Sequence, residues 1–342
     1  MLAIKQLVLE VTEACPHSCL HCYNYWREKR APVSSPDALT QKEIRSLIRR
    51  IKGETTLQHV GISGGEPLLR PDLAEIVADL MEEGLEVVII SSGALLTPAR
   101  AAQYPKQTAF EITLFSAEAA LHDRIAGRTG AFQRVLEGAA CLWARGCRMA
   151  ASVVVNRLNA HQVRDALELG VALGASTFLL NRMNLSRATF PMAGELMPRP
   201  VQLKEMLDSA EEFAIRYRVT IAVAVPIPPC IVDLTPYHHL LFGWCPRGKA
   251  ENVYYTVSHN GFLRPWNHSS VILGDLRKES LASLVNGRKA AAFWAPVPAA
   301  CRRCKYPGHE LCRGGCPAAS DECYGTRKRW DPIVDLARLN SR

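Results

Sequence analysis

The sequence predicts an α/β fold: a partial (β/α)6 TIM barrel over residues 1–222, a join at 223–244, and a small cysteine-rich domain over 245–342. Three observations lead there. Apolar runs rich in Val, Ile and Leu alternate six times with segments of helical periodicity. The runs are continuous rather than polar at every second residue, as in parallel strands covered on both faces. Each run ends in small, polar or thiol residues, and βα barrels carry their chemistry at those C-terminal strand ends.

The elements follow in order. Ile4–Val11 is the first strand and leads into Cys15, Cys19 and Cys22. A helix over Gln41–Ile51 precedes the second strand, Gln58–Ile62, which runs into "SGGEP", Ser63–Pro67. The clearest helix lies in "RPDLAEIVADLMEEG", Arg70–Gly84. Pro71 suits its first turn, Leu73, Ile76, Val77, Leu80 and Met81 form one apolar face, and Gly84 closes it in the left-handed conformation. The third strand, Glu86–Ile90, ends at Ser91–Gly93, and the fourth, Ala109–Leu114, ends in Thr113–Ser116. A helix over Phe132–Ala144 leads to the fifth strand, Met149–Val155, which ends at Asn156. The helix His161–Leu173 and strand Thr177–Leu180 bring the chain to Asn181 and Arg182, and the helix Val201–Tyr217 follows. The Pro-rich "VAVPIPPC", Val223–Cys230, marks the join.

With 48% hydrophobic and 22% charged residues the composition is that of a soluble globular protein. No apolar stretch reaches the roughly 18 residues of a membrane span, and the N-terminal stretch lacks the features of a signal peptide. The expected location is the cytoplasm. There the twelve cysteines stay reduced and read as metal ligands rather than disulfide partners. The net charge is +8; from Cys301 onward nine basic residues face five acidic ones. Such a patch can hold an acidic partner or offset the charge of bound thiolates; the second reading is preferred. The chain has no aromatic-and-basic stacking run of the kind single-strand binders use, which argues against nucleic acid.

Cys15, Cys19 and Cys22 place three soft ligands on one loop. A structural zinc site wants four closed ligands, so zinc would need His17 or His21 as well. Three thiolates alone suit a cluster with one iron left open. The spacing Cys15-x3-Cys19-x2-Cys22 after a first barrel strand, followed by "GGEP" after the second, resembles the radical S-adenosylmethionine (SAM) superfamily. The resemblance implies a [4Fe–4S] cluster on Cys15, Cys19 and Cys22, with SAM on the fourth iron. Reductive cleavage of SAM then gives a 5′-deoxyadenosyl radical that abstracts hydrogen from the substrate. It further implies that Gly64 and Gly65 let backbone approach a ligand, that Glu66 accepts from the SAM ammonium, and that Pro67 stiffens the turn. His21 holds the place of an aromatic residue near the cofactor. Ser91 and Ser92 stand where relatives contact ribose or carboxylate; Thr113, Ser116 and Asn156 fall on later strand ends and either do likewise or cap turns. "HDRIAG", His122–Gly127, and the "GAF" after it also resemble the family or shape a loop.

The terminal spacing Cys301-x2-Cys304-x7-Cys312-x3-Cys316-x6-Cys323, with Cys245 upstream, resembles the SPASM extension, a small iron–sulfur domain carrying auxiliary clusters. That resemblance implies at least one auxiliary [4Fe–4S] cluster, on Cys301, Cys304, Cys312 and Cys323; a zinc ribbon on the same thiols is the alternative. A second site would retain Cys245 and Cys316, helped by Cys230, Asn267 or His268. Trp266 stands where a further cysteine is expected and cannot ligate iron, so that site is expected to be empty, incomplete or unusually ligated. Cys141 and Cys147 read as structural thiols. Cys230, in the join, is also a candidate hydrogen-atom donor.

The functional expectation is hydrogen abstraction from a ribosomally made precursor peptide, leading to crosslinking, epimerisation or oxidation. A flavodoxin or ferredoxin would donate the electron. The sequence shows no room for a leader-binding domain ahead of the first strand, so a separate protein or the basic C-terminal region would grip the leader. The alternatives are radical chemistry on a small molecule such as a sugar, aminoglycoside unit or cofactor precursor, and a non-catalytic metal- or RNA-binding protein.

Overall fold

Burial of the Val, Ile and Leu runs organises one sheet. The computed structural model describes residues 1–24, 35–244 and 254–339. Its strands are β1 (Gln6–Glu10), β2 (His59–Ser63), β3 (Glu86–Ser91), β4 (Ala109–Leu114), β5 (Met149–Val155), β6 (Thr177–Arg182), β7 (Thr220–Val223), β8 (Leu240–Phe242), β9 (Tyr255–Val257), β10 (Phe262–Arg264) and β11 (Gly274–Asp275). The spatial order is β11-β10-β9-β1-β2-β3-β4-β5-β6-β7-β8. Neighbours from β1 to β8 are parallel, as is β9 beside β1, while β10 and β11 are antiparallel.

The register aligns Leu9, Ile62, Ile89, Phe110 and Met149 in one buried row. A slip by one residue would turn that whole row to the other face. The row faces the helices: Phe178 of β6 meets Phe213 of the helix Pro200–Tyr217, ring centres 5.9 Å apart. Alternation therefore turns Glu111, Thr113, Ser152 and Asn181 to the inner face.

Local chemistry sets the helix ends. Thr40 caps the helix Gln41–Glu54, its Oγ1 accepting from the Glu43 amide while the Glu43 carboxylate accepts from the Thr40 amide. The helix expected after Pro71 begins at Leu73. Asp72 does not cap it because Arg70 takes both carboxylate oxygens. Gly84 ends it at φ 75°, as the pattern implied.

Six strands were expected, and the sheet runs further at both edges. The join at 223–244 begins on the last residue of β7 and contains β8; the cysteine-rich segment contributes β9, β10 and β11 to the barrel's own sheet. These added strands have two to four residues each, too short to establish a period in sequence.

Two buried ion pairs tie the C-terminal segment to strand ends. Arg264 on β10 pairs with Glu10, the last residue of β1, and also donates to Ser258 Oγ and the Asn267 and Ser269 carbonyls. Arg182, the last residue of β6, pairs with Asp331 and donates to the Pro226 and Met183 carbonyls. Removing one partner strands a buried charge. Asp331→Asn is expected to cost about 3–5 kcal/mol in denaturant unfolding. Lys204→Ala, which breaks the exposed pair with Asp208, is expected to cost less than about 1 kcal/mol.

Candidate active site at the strand ends

Cys15, Cys19 and Cys22 lie on the loop that leaves β1, and the end of β2 and the end of a helix fix its path. On one side, Gly65 N–H donates to the Thr12 carbonyl and Glu66 N–H to the Ala14 carbonyl, each at 2.8 Å. A Cβ at residue 64 would collide with Thr12 backbone, and one at residue 65 with the Glu13 and Ala14 carbonyl oxygens. On the other side, Ser18 and Leu20 donate to the carbonyls of Ala126 and Ile125, at the end of the helix Ala119–Ala126. Gly127 follows at φ 62°, where a Cβ would strike the Ser18 carbonyl. Arg128 reaches the Pro16 carbonyl at 2.9 Å, and Asp123 accepts from the Gly130 and Phe132 amides. The "HDRIAG" stretch thus shapes the seat of the cysteine loop.

Gly64 and Gly65, expected to let backbone approach a ligand, leave room for the backbone of the cysteine loop. Glu66, expected to accept from the SAM ammonium, is tied to its neighbours. Its buried carboxylate accepts from Leu68 N–H (3.2 Å), Ser91 Oγ (2.7 Å), Ser92 N–H (3.0 Å) and Ser92 Oγ (2.6 Å). Those four donors match the roughly four acceptor positions of a carboxylate. Ser91 and Ser92, expected on ribose or carboxylate, spend their hydroxyl protons on Glu66. Pro67 starts a short 3-10 turn, as a stiffening residue should.

The other expected residues divide. His21 is buried edge-on against Phe115 at 5.0 Å. Phe115 continues to His122 and Phe132 in one aromatic stack. Ser116 donates to Gln162 and accepts from Glu118 N–H, so its hydroxyl caps a turn. Asn156 is fully buried and its Oδ1 accepts from Leu158 N–H, yet its Nδ2 has no partner. Thr113 is half-buried on the inner face of β4 beside Glu111.

Glu111 and Ser152 were not picked from the sequence. They face inward on neighbouring strands, and the Ser152 hydroxyl bonds the Glu111 carboxyl. Desolvation pushes that carboxyl up to about 7. The alternation of β4 with Phe110, Ile112 and Leu114 outward was the available signal.

The terminal cysteines form two groups. Cys301, Cys304 and Cys312 line a cavity of about 240 Å³, and the fourth cysteine lining it is Cys230 from the join. Cys323, expected as the fourth ligand, does not line it. It stands on the helix Pro317–Tyr324 near Cys316, Glu322 and Asp331, and burial followed by those negative neighbours raises its thiol. Cys316 caps that helix, its sulfur accepting from Asn184 Nδ2 at 3.4 Å and Ala319 N–H at 3.5 Å. Asn267, expected beside Cys316, donates to Tyr23 Oη at 2.8 Å, and His268 packs on the Tyr23 ring at 4.0 Å. Trp266 is buried edge-on against Trp294 at 4.9 Å. Cys245 lies outside the described residues. Cys141 and Cys147 are half-buried.

The donor chemistry fits an iron–sulfur cluster and SAM. Among the described residues no three His, Cys, Asp or Glu side chains converge closely enough for one metal ion. A multinuclear cluster spans wider gaps, because its own atoms bridge them. Desolvation, then the charges of Glu66 and Cys22, pushes the Cys15 thiol up to about 12, so metal must displace its proton. The orphaned Asn156 Nδ2 supplies a buried donor for an oxygen-bearing ligand.

Parallel strands with thiols, a glycine pair and hydroxyls at their C-terminal ends define a class, and residues 9–170 match the model of that class, the radical SAM superfamily. The match covers a little under half of the chain and includes the cysteine loop, the glycine pair and the ends of β2 to β5. Its curated relatives include the PqqA peptide cyclase of Methylocella silvestris, 28% identical over 97% of this chain and 87% of that protein. The PqqA peptide cyclase of Bradyrhizobium diazoefficiens is 27% identical over 98% and 87%. Among solved structures, Streptococcus suis SuiB bound to its precursor peptide SuiA superposes with TM-score 0.73 at 12% identity, over 97% of this chain and 76% of that one. AdoMet-bound anSMEcpe gives TM-score 0.70 at 14% identity, over 97% and 95%. At these identities the superpositions establish the fold.

Gly65→Ala is expected to displace the cysteine loop and cut barrel-cluster iron at least fivefold after anaerobic reconstitution. Gly53→Ala, with open space around its Cβ, should leave it unchanged. Glu111 bears on pH. A carboxyl raised from 4.5 to about 7 on folding imposes no penalty below 4.5, where folded and unfolded forms are both protonated. The penalty grows through the interval and is complete above about 7. Its contribution to the melting temperature should therefore fall as pH rises from about 4.5 to about 7, and Glu111→Gln should remove that component.

Proposed function

We propose that this chain is a radical SAM enzyme and that it modifies a ribosomally made precursor peptide. One observation carries the reading. The similarity to PqqA peptide cyclases spans 97–98% of the chain, well past the family match at residues 9–170, through the join and the cysteine-rich segment. SuiB, with its precursor peptide bound, shares the fold over the same span.

Cys15, Cys19 and Cys22 would hold the [4Fe–4S] cluster. Together with SAM it would supply the one-electron cleavage that yields a hydrogen-abstracting deoxyadenosyl group. The remaining work belongs to the chain. Gly64, Gly65 and Gly127 hold the thiol loop close to the strand ends. Glu66, saturated by Ser91, Ser92 and Leu68, locks the ends of β2 and β3 together so that the seat does not shift. His21 and Phe115 cover one side of the loop with apolar surface and exclude water there. Asn156 Nδ2 offers its unpartnered N–H to the SAM carboxylate or ribose. Glu111, near neutrality, can hold or release a proton inside the barrel.

A flavodoxin or ferredoxin would deliver the electron, and a separate protein or the basic terminal segment would hold the peptide leader. No helix among the described residues is long and apolar enough to cross a membrane. Cysteine-rich metal sites of this kind belong in a reducing compartment, and the cytoplasm is the expected one.

The test is anaerobic incubation of the reconstituted, reduced enzyme with SAM and the short peptides encoded beside its gene. The expected result is one peptide that loses hydrogen or gains a D-residue, read by mass spectrometry and chiral analysis. Cys22→Ala should abolish it. No change in any such peptide would overturn the reading.

A further inference from the structure

We infer that an auxiliary iron–sulfur cluster is held by Cys230, Cys301, Cys304 and Cys312, with the fourth thiolate coming from the join after β7 rather than from Cys323. The inference rests on the radical SAM reading only for the class of cofactor, and not on the peptide substrate.

The cavity is the first observation. Three cysteines of the terminal segment and one from a remote stretch line the same space of about 240 Å³, far more than one ion fills. None of the four is in a disulfide, and they are set around a volume rather than on a point, as a cluster requires and a single ion does not.

The join is built to present Cys230. Asn181 Oδ1, at the end of β6, accepts from the Ala224 and Val225 amides at 2.8 and 3.0 Å. The neighbouring Arg182 donates to the Pro226 carbonyl at 2.9 Å. Pro228 and Pro229 then restrict the backbone, and Ile231 N–H closes a turn onto the Pro228 carbonyl at 2.9 Å. Loops hold ligands best when a rigid scaffold fixes both their ends.

Charge separates the two candidates for fourth ligand. Arg303, Lys305, Arg313 and Arg338 line the cavity with the four thiols. A cluster on four thiolates is an anion, and these cations oppose its charge. Cys323 instead has Cys316, Glu322 and Asp331 for neighbours; Asp331, paired with Arg182, also acts on Cys312, so Glu322 is the negative neighbour that sets Cys323 apart. Cys316 is also drawn away, into the cap of its helix and the Asn184 amide. On assembly each of the four thiols gives its proton to solvent as its sulfur bonds iron; iron and sulfide come from outside.

The full-length chain carrying Cys15→Ala, Cys19→Ala and Cys22→Ala isolates this site from the barrel. After anaerobic reconstitution it should retain about four iron and four sulfide atoms, one four-iron cluster. Adding Cys230→Ser should lower iron at least threefold or change the electron paramagnetic resonance of the reduced cluster. Adding Cys323→Ser should do neither. A footprint needs no change at residue 230: alkylation before and after iron chelation should show Cys230, Cys301, Cys304 and Cys312 unmasked together, with Cys323 unchanged. Loss of iron or unmasking at Cys323, no effect at Cys230, or a triple variant without iron and sulfide would overturn the assignment. All readouts are independent of turnover, so failure of the peptide reading leaves them unaffected.

Discussion

Backbone contact between the end of β2 and the loop leaving β1 is the constraint on which the rest depends. Thr12 and Ala14 carbonyls are bonded to Gly65 and Glu66 N–H, with no room for a side chain at 64 or 65. A thiol loop is otherwise a flexible connection, costly to order. Pressed against one strand end and hung from residues 125–127 on the other side, it begins and continues at fixed points. The loop's path is thus fixed, and positioning is what a parallel-strand scaffold can add to a cofactor that carries the difficult chemistry.

Glu66 shows how the same residues serve structure before ligand. A buried carboxylate is costly unless its acceptors are satisfied, and here β3 supplies the hydroxyls. Glu66, Ser91 and Ser92 form one hydrogen-bonded network that stiffens the mouth. Asn181 and Arg182 do comparable work at the far side of the barrel, holding the join and, through Asp331, the backbone of Cys316. The C-terminal segment is thus fastened to the parallel sheet at the C-terminal ends of β1 and β6.

The first six strands and the thiol loop were legible because long apolar runs and close cysteine spacing are local signals. Ala109–Leu114 and Met149–Val155 have the bounds read from the sequence. The short strands β7 to β11 were not legible, since their pairing comes from partners distant in the chain. Ligand roles were harder still. Sequence order puts Cys323 with Cys312 and leaves Cys230 in a Pro-rich join; only the folded join brings Cys230 to the cavity. Likewise, nothing in "SGGEP" reveals that Ser91 and Ser92 will occupy the acceptors of Glu66.

What matters most is whether the fixed thiol trio serves SAM. Fully reconstituted protein, reduced with dithionite and given SAM under nitrogen, can be assayed for 5′-deoxyadenosine by chromatography. The expected result is steady release of 5′-deoxyadenosine and methionine by the native chain, with none once Cys19 is alanine. A native chain that carries its full complement of iron and sulfide, is reduced, and still releases no 5′-deoxyadenosine would contradict the assignment.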